Sequence, residues 1–282
     1  MFLLRIRPMK AIDFHSMIRL TDEENWGFGT RDLKRMMALE PRGCLVATIR
    51  RRPIGLTTTI AYGRDLGWIG NVVVNQKDRG AGIGTRLVQS AVSHLLRMHV
   101  KRIGLNSYQE NEAMYKRLGF KITGGFASLS MAHGVEDSTE RIGKIPFREI
   151  LRLDKRAFRA DRSRLLRRFH REFPKCWTWI SNNSRVFGYS LVKQYQDSSE
   201  IGPLICEEMN QENVAMLLRS SIALATKWPL EIPVPEPNSI VMKVAESLGF
   251  RVERKGVVMS YARLDPIVLG PPVGALGFLD KG

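Results

Sequence analysis

The chain has 282 residues, 44% of them hydrophobic, so each half can bury a core and the length predicts two domains of ordinary size. No run of eighteen apolar residues occurs, which argues against a membrane span. Three widely spaced cysteines (Cys44, Cys176 and Cys206), odd in number and set among apolar residues, argue against a disulfide framework or a metal site and for buried thiols in a reducing cytoplasm. The net charge of +16 and pI near 10.2 attract anions: a phosphorylated cofactor, nucleic acid or acidic lipid, with a merely solvated basic surface as the other reading.

In chain order, the opening residues are too soon interrupted by Arg5 to be a secretory signal, and Leu3 to Arg7 read as a strand. Ala11 to Leu20 and Thr30 to Leu39 read as helices, the second with a capping hydroxyl at Thr30 and an acidic first turn. Cys44 to Arg50 alternates as a strand, and a polar turn leads to a second strand, Ile54 to Ala61. Leu66 to Val74 is an apolar run suited to a strand buried on both faces. Gly84 to Val100 carries the apolar stripe of a helix. A short strand, Arg102 to Ser107, a short helix, Asn111 to Leu118, and a long strand, Phe120 to Met131, complete the first half.

The second half echoes the first. Leu118-Gly119-Phe120-Lys121-Ile122 returns as Leu248-Gly249-Phe250-Arg251-Val252, Trp68-Ile69-Gly70 as Glu200-Ile201-Gly202, and Gly55-Leu56-Thr57 as Gly188-Tyr189-Ser190. The landmarks keep their order about 130 residues apart, which is a duplicated α/β domain and not a solenoid. The join is expected near His133 to Ile142, and the Gly- and Pro-rich stretch from Pro266 to Gly282 is expected to be mobile. Arg152 to Arg171 reads as one amphipathic helix with a basic face, either an anion or RNA contact or a solvated surface.

Chemistry concentrates at Asp78-Arg79-Gly80-Ala81-Gly82-Ile83-Gly84, between the buried strand and the striped helix. Glycines there let the backbone approach a ligand, and N–H groups at a helix start favour a pyrophosphate. The Lys-Ser/Thr of a nucleotide-hydrolysing loop is missing, as is the acid a dinucleotide fold would place some twenty residues on.

Arg79-x-x-Gly82-x-Gly84 after Val72-x-Val74, with Tyr115-Lys116-Arg117-Leu118-Gly119-Phe120, resembles the cofactor signature and terminal motif of the GNAT N-acetyltransferase superfamily. Gly188-Tyr189 and Ile201-Gly202-Pro203 further resemble a subgroup with a degenerate C-terminal acetyltransferase-like domain. The resemblance implies an α/β (α+β) fold of two tandem GNAT-like domains, each a mixed, mostly antiparallel central sheet flanked by helices. Residues 1–135 would be the catalytic domain, 142–265 the degenerate one, and 266–282 a flexible tail. It implies acetyl transfer from acetyl-CoA to a primary amine of a small molecule or peptide, with no metal. Backbone groups of Val72, Val73 and Val74 would hold the thioester and pantetheine. Arg79, Gly80, Ala81, Gly82, Ile83, Gly84 and Thr85 would hold the pyrophosphate, and Asn106 would either face the cofactor or pin a bulge.

Tyr115 occupies the family's position for the acid that protonates the departing thiolate, a phenol of pKa near 10 facing a thiol of about 8 to 9. The alternative is that it packs or hydrogen-bonds the sulfur. The base departs from the pattern, because Trp68 stands where many members carry a strand carboxylate. Glu24, in the cluster Asp22-Glu23-Glu24, is the candidate base, and a water relay through Asn71 or Tyr108 is the other. In the second copy, Cys206-Glu207-Glu208-Met209-Asn210-Gln211-Glu212 puts carboxylates where a pyrophosphate would bind, and Ala245 matches Tyr115. That copy is expected to wall off the acceptor site or offer a dimer surface. The competing functional reading is an acyl-CoA-binding or nucleic-acid-binding module with little or no turnover.

Overall fold

In the computed structural model, residues 4–134, 145–182, 185–236 and 238–277 are described, so the expected join between the copies falls largely outside them. The elements run β1 (Leu4–Pro8), α1 (Phe14–Asp22), α2 (Thr30–Leu39), β2 (Leu45–Ile49), β3 (Arg52–Tyr62), β4 (Leu66–Val74), α3 (Ile83–Arg97), β5 (Ile103–Tyr108), α4 (Gln109–Arg117) and β6 (Phe120–Met131). They continue as α5 (Phe147–Phe158), α6 (Ser163–Glu172), β7 (Trp177–Asn182), β8 (Arg185–Gln194), β9 (Ser199–Cys206), α7 (Gln211–Leu224), β10 (Leu230–Pro235), α8 (Ser239–Ser247), β11 (Arg251–Tyr261) and β12 (Val273–Ala275). Among the described residues no helix is long and apolar enough to cross a membrane.

The chain forms two compact units, and they do not follow chain order. One comprises the described residues up to Thr123 together with Met259–Ile267, the other the described residues between Gly124 and Val258 together with 268–277. Two strands, β6 and β11, therefore begin in one unit and end in the other. β11 stands beside β5, and β6 stands beside β10, where each copy alone would have put its own last strand.

In the first unit β1, β2, β3 and β4 pair antiparallel and β5 joins β4 in parallel, a mixed and mostly antiparallel sheet. The stripe on α3 is spent on this sheet: Ile83, Leu87, Val88, Ala91, Val92 and Leu95 are all buried. Met17, Leu20, Leu33 and Met36 from α1 and α2 pack with Val46, Leu56 and Val73 of the strands. Each such fully buried side chain contributes about 1.5–3 kcal/mol.

Two local expectations shift by a few residues for visible reasons. The helix expected from Ala11 opens as a 3-10 turn over Ala11–Asp13, because the Asp13 carboxylate accepts from the Lys10 N–H at 2.8 Å and from Arg7 at 2.7 Å. Thr30 is the first helical residue of α2, not its cap; Asp32 reaches back to accept from the Gly29 N–H at 2.9 Å.

The second unit repeats the plan: β7, β8 and β9 pair antiparallel, β10 joins β9 in parallel, and β6 lies antiparallel to β10. The single basic helix expected over 152–171 is two helices. Arg159 takes a left-handed conformation (φ 52°), the Asp161 side chain accepts from the Ser163 N–H at 2.9 Å to open α6, and Arg162 turns inward. It meets Asp154 in a wholly buried ion pair (2.6 Å), and the Tyr189 hydroxyl donates to the same carboxylate at 2.5 Å. Desolvation and the neighbouring Asp154 push the Tyr189 pKa well above 10, so it stays a donor. The residues expected as a mobile tail contain β12, which pairs with β9 and whose Val273 and Ala275 are fully buried.

Candidate active site

β4 carries the geometry on which the site depends. Leu56 of β3 faces Val73 and Thr58 faces Gly70, so Asn71 and Val72 together oppose the single residue Thr57. This is a β-bulge, with Asn71 at φ 53° and its amide donating to the Thr58 hydroxyl at 2.8 Å. Asn71, a candidate relay residue in the sequence, thus pins the bend, and nothing in the string Gly70-Asn71 marks a bulge.

On its other side β4 pairs with β5 only from Gly67–Ile103 to Ile69–Leu105. β4 then runs on to Val74 beside β3 and β5 to Tyr108 beside β11, with no further rung between β4 and β5, so the two strands part there. Val72 on the β4 side and Asn106 on the β5 side are half-buried, whereas Val73 and Val74 are buried.

Beyond Val74 the chain makes a 3-10 turn over Gln76–Asp78, in which the Asn75 side chain accepts from the Lys77 N–H at 3.1 Å. Arg79, Gly80, Ala81 and Gly82 are exposed. Gly80 (φ 81°) and Gly82 (φ 74°) hold left-handed conformations with open space around them, so glycine is needed there for backbone shape and not for room. Gly82 is the N-cap of α3 and provides no side-chain cap. The N–H groups of Ile83, Gly84 and Thr85 lie in the first turn, with no carbonyl one turn earlier to receive them. Such donors and the helix dipole together suit an anion at this end of the strands.

Gly84 also links this loop to the third element. A Cβ built on it would lie 3.6 Å from the Met114 sulfur of α4 and 3.8 Å from Val74. The next residue, Tyr115, is the only buried side chain of α4, and its ring meets Phe120 edge-on at 6.1 Å. Desolvation raises its pKa well above the ordinary value of 10, so the hydroxyl is held protonated.

Glu24 sits in the turn after α1 and forms an ion pair with Arg79, whose Nε donates to the Val74 carbonyl at 2.9 Å. The candidate base and the loop arginine are therefore each other's partners. Trp68, in the place of a strand carboxylate, is buried. A separate polar groove, lined by Arg7, Arg42, Arg86, Ser90 and Arg97 along β1 and α3, contains none of the expected site residues.

Comparison with known proteins finds the same family in both halves. Residues 11–120 match the model described as the acetyltransferase (GNAT) family, and residues 150–266 match one described as an acetyltransferase (GNAT) domain. This chain belongs to the GNAT acetyltransferase family. A curated relative of this GNAT chain is holothin acyltransferase of Pseudoalteromonas sp. (strain SANK 73390), 23% identical over 188 residues, which span 65% of this chain and 63% of the relative. Among solved structures it resembles a putative acetyltransferase from Pyrococcus horikoshii, with a TM-score of 0.83 at 21% identity, covering 99% of this chain and 96% of that one. It also resembles a tandem GNAT protein from the clavulanic acid biosynthesis pathway, with a TM-score of 0.62 at 12% identity, covering 92% and 98%. These likenesses establish the tandem GNAT fold, and family membership carries acyl transfer as its general chemistry.

The second GNAT unit treats the matching helix start differently. The Asn210 side chain caps α7, accepting from the Asn213 N–H at 2.9 Å, so a donor left open on α3 is taken on α7. Glu207 just before it is held by Arg156 and Arg185, each at 2.7 Å. Ala245, matching Tyr115, is fully buried on α8.

Proposed function

We propose that this chain is an acetyl-CoA-dependent N-acetyltransferase whose chemistry lies in the first unit. It would transfer the acetyl group to a primary amine of a small molecule or peptide. The observation that carries this reading is the stretch of β4 past Ile69, which keeps β3 as a neighbour but has no rung to β5, leading directly to a glycine-led start of α3 with no side-chain cap. A slot between two parting strands followed by converging N–H groups fits an amide-bearing arm joined to a pyrophosphate. Val72, Val73 and Val74 would offer the strand edge, Arg79 to Thr85 the pyrophosphate cradle, and Asn106 the facing wall.

Bound acetyl-CoA supplies a thioester carbonyl open to direct attack by a neutral amine. The chain's own task is to orient that group and manage two protons. The Tyr115 hydroxyl, kept protonated by burial, donates toward the departing sulfur. Glu24 can take the amine proton only after releasing Arg79, and a pyrophosphate in the loop competes for that guanidinium. Binding in the loop would thus free the carboxylate. In the second unit the capped α7 and the arginine-held Glu207 leave no equivalent cradle, which supports turnover in the first unit alone.

Thiol release in the presence of acetyl-CoA and a panel of small and peptide amines tests the reading. Acetyl-CoA binding with no release on any amine would favour a binding module instead.

A further inference from the structure

The second unit opens the same slot and then fills it. β9 and β10 pair in parallel at Ser199–Leu230 and Glu200–Glu231, the counterparts of Gly67–Ile103 and Trp68–Gly104 in the first unit. Past those rungs β9 and β10 part, as β4 and β5 do. Into the parting runs segment 270–277. β12 lies antiparallel to β9, with Val273 opposite Ile205 and Ala275 opposite Leu204. The Cys206 N–H donates to the Pro272 carbonyl at 2.9 Å on the β9 side, and the Leu276 N–H donates to the Pro233 carbonyl of β10 at 2.9 Å on the other. Asn238 donates its side-chain amide to the Val273 carbonyl, and the buried Lys193 ammonium donates to the Gly277 carbonyl at 2.6 Å. Val273, Ala275 and Leu276 are fully buried. The fit is close enough that a Cβ on Gly202 would lie 2.2 Å from the Leu276 carbonyl oxygen.

We propose that the cleft between β9 and β10 is a strand-binding site whose ligand is an extended peptide, supplied in cis by segment 270–277, which closes this unit to acyl-CoA. The proposal rests on the reading of the β4–β5 gap as the pantetheine slot. An extended peptide presents alternating N–H and C=O groups to both walls, as an amide-bearing arm would, and Val273 to Leu276 satisfies β9 and β10 together. Among the described residues the end of this cleft is poorly suited to a competing phosphate: Asn210 occupies the α7 start, and Arg156 and Arg185 are both engaged by Glu207. The chain accordingly takes up one acetyl-CoA, not two, and the second unit depends on its own segment to complete its core.

The test uses the full chain. Calorimetric titration with acetyl-CoA is expected to give one equivalent. Hydrogen–deuterium exchange is expected to show residues 273–276 protected as strongly as β9, with or without saturating acetyl-CoA, and new protection only around residues 72–85. Two equivalents, or faster exchange at 273–276 on adding acetyl-CoA, would overturn the proposal. Gly202→Val, which drives a side chain into the Leu276 carbonyl, is expected to speed exchange at 273–276 by about tenfold or more and leave acetyl-CoA affinity within about twofold. Unchanged exchange would also overturn it. Should that variant not fold, a chain with a specific protease site inserted after the exposed Val268 is cleaved after folding. Segment 270–277 is expected to stay bound until denaturant is added, and release without denaturant counts against the site. A protected segment in a protein that binds no acetyl-CoA sinks the assigned function alone. One equivalent bound beside a freely exchanging segment sinks the strand site alone.

Discussion

Tyr115 owes its acid–base behaviour to burial, since desolvation is what lifts its pKa above that of a free phenol. The sign of that shift fixes a pH expectation: the proton is retained through the neutral range and beyond, so Tyr115 imposes no falling limb on kcat between pH 7 and about 10. Tyr115→Phe is expected to lower kcat roughly a hundredfold or more, with KM for acetyl-CoA changed by less than about twofold. Steady-state kinetics across pH checks both; a limb near pH 8 that vanishes in the variant would contradict the raised pKa. Glu24→Gln separates two roles. A base loses kcat when it is removed, whereas a residue that only competes with the pyrophosphate for Arg79 leaves kcat in place and lowers KM for acetyl-CoA. If the base reading holds, the expected loss is about a hundredfold in kcat. Tyr115 stands out in the sequence as a candidate because it holds a fixed place before Leu118-Gly119-Phe120. The partnership of Glu24 with Arg79 was not, because an ion pair across 55 positions leaves no mark in either neighbourhood.

Two helix starts show how elements divide the labour. α3 opens on Gly82 with its N–H groups unspent, whereas α7 spends one on Asn210. Gly82→Ala forces a side chain into a left-handed conformation that costs about 1–2 kcal/mol. A loop that relaxes to avoid it re-aims the first N–H groups of α3. KM for acetyl-CoA is expected to rise about tenfold with thermal stability nearly unchanged, and a variant that binds acetyl-CoA normally would remove the loop from the site. The α5–α6 corner depends instead on a buried charge pair. Asp154→Ala strands Arg162 and removes the acceptor of Tyr189, and the expected loss is about 3–5 kcal/mol in urea unfolding. A loss below about 1 kcal/mol would mean that Arg162 finds water or another partner. Elements with an uninterrupted pattern, such as Thr30–Leu39 and Leu66–Val74, could be read from the chain because periodicity and run length are local properties. The corner could not. In a run of nine basic residues, nothing local tells which arginine turns inward, because the choice is made by Asp154 and Tyr189 once the sheet is in place.

The duplication is visible in the sequence, yet the exchange of last strands between the units is not. Phe120–Met131 and Arg251–Tyr261 carry the same alternation after the same Leu-Gly-Phe turn, so the pattern says that each is a strand but not whose sheet it completes. The consequence falls on the first unit, which needs Met259–Ile267 to close. There Tyr261 packs on Phe120 at 5.4 Å, the Ser260 and Thr123 hydroxyls meet at 3.0 Å, and the Ala262 N–H donates to the Gly119 carbonyl at 2.9 Å. Met259, Tyr261 and Ile267 are all buried. Three such side chains are worth about 5–9 kcal/mol, of the same order as the whole stability of a domain at ~5–15 kcal/mol. Residues 1–134 expressed alone, though they hold every expected catalytic residue, are therefore expected to lack a cooperative unfolding transition and to bind acetyl-CoA at least tenfold more weakly. Adding a peptide of residues 251–267 is expected to restore both. Circular dichroism melts and acetyl-CoA titration of the fragment, with and without the peptide, decide the matter. A fragment that melts cooperatively by itself within about 5 °C of the full chain would show that the borrowed strand is dispensable, and that the first copy is a self-sufficient domain after all.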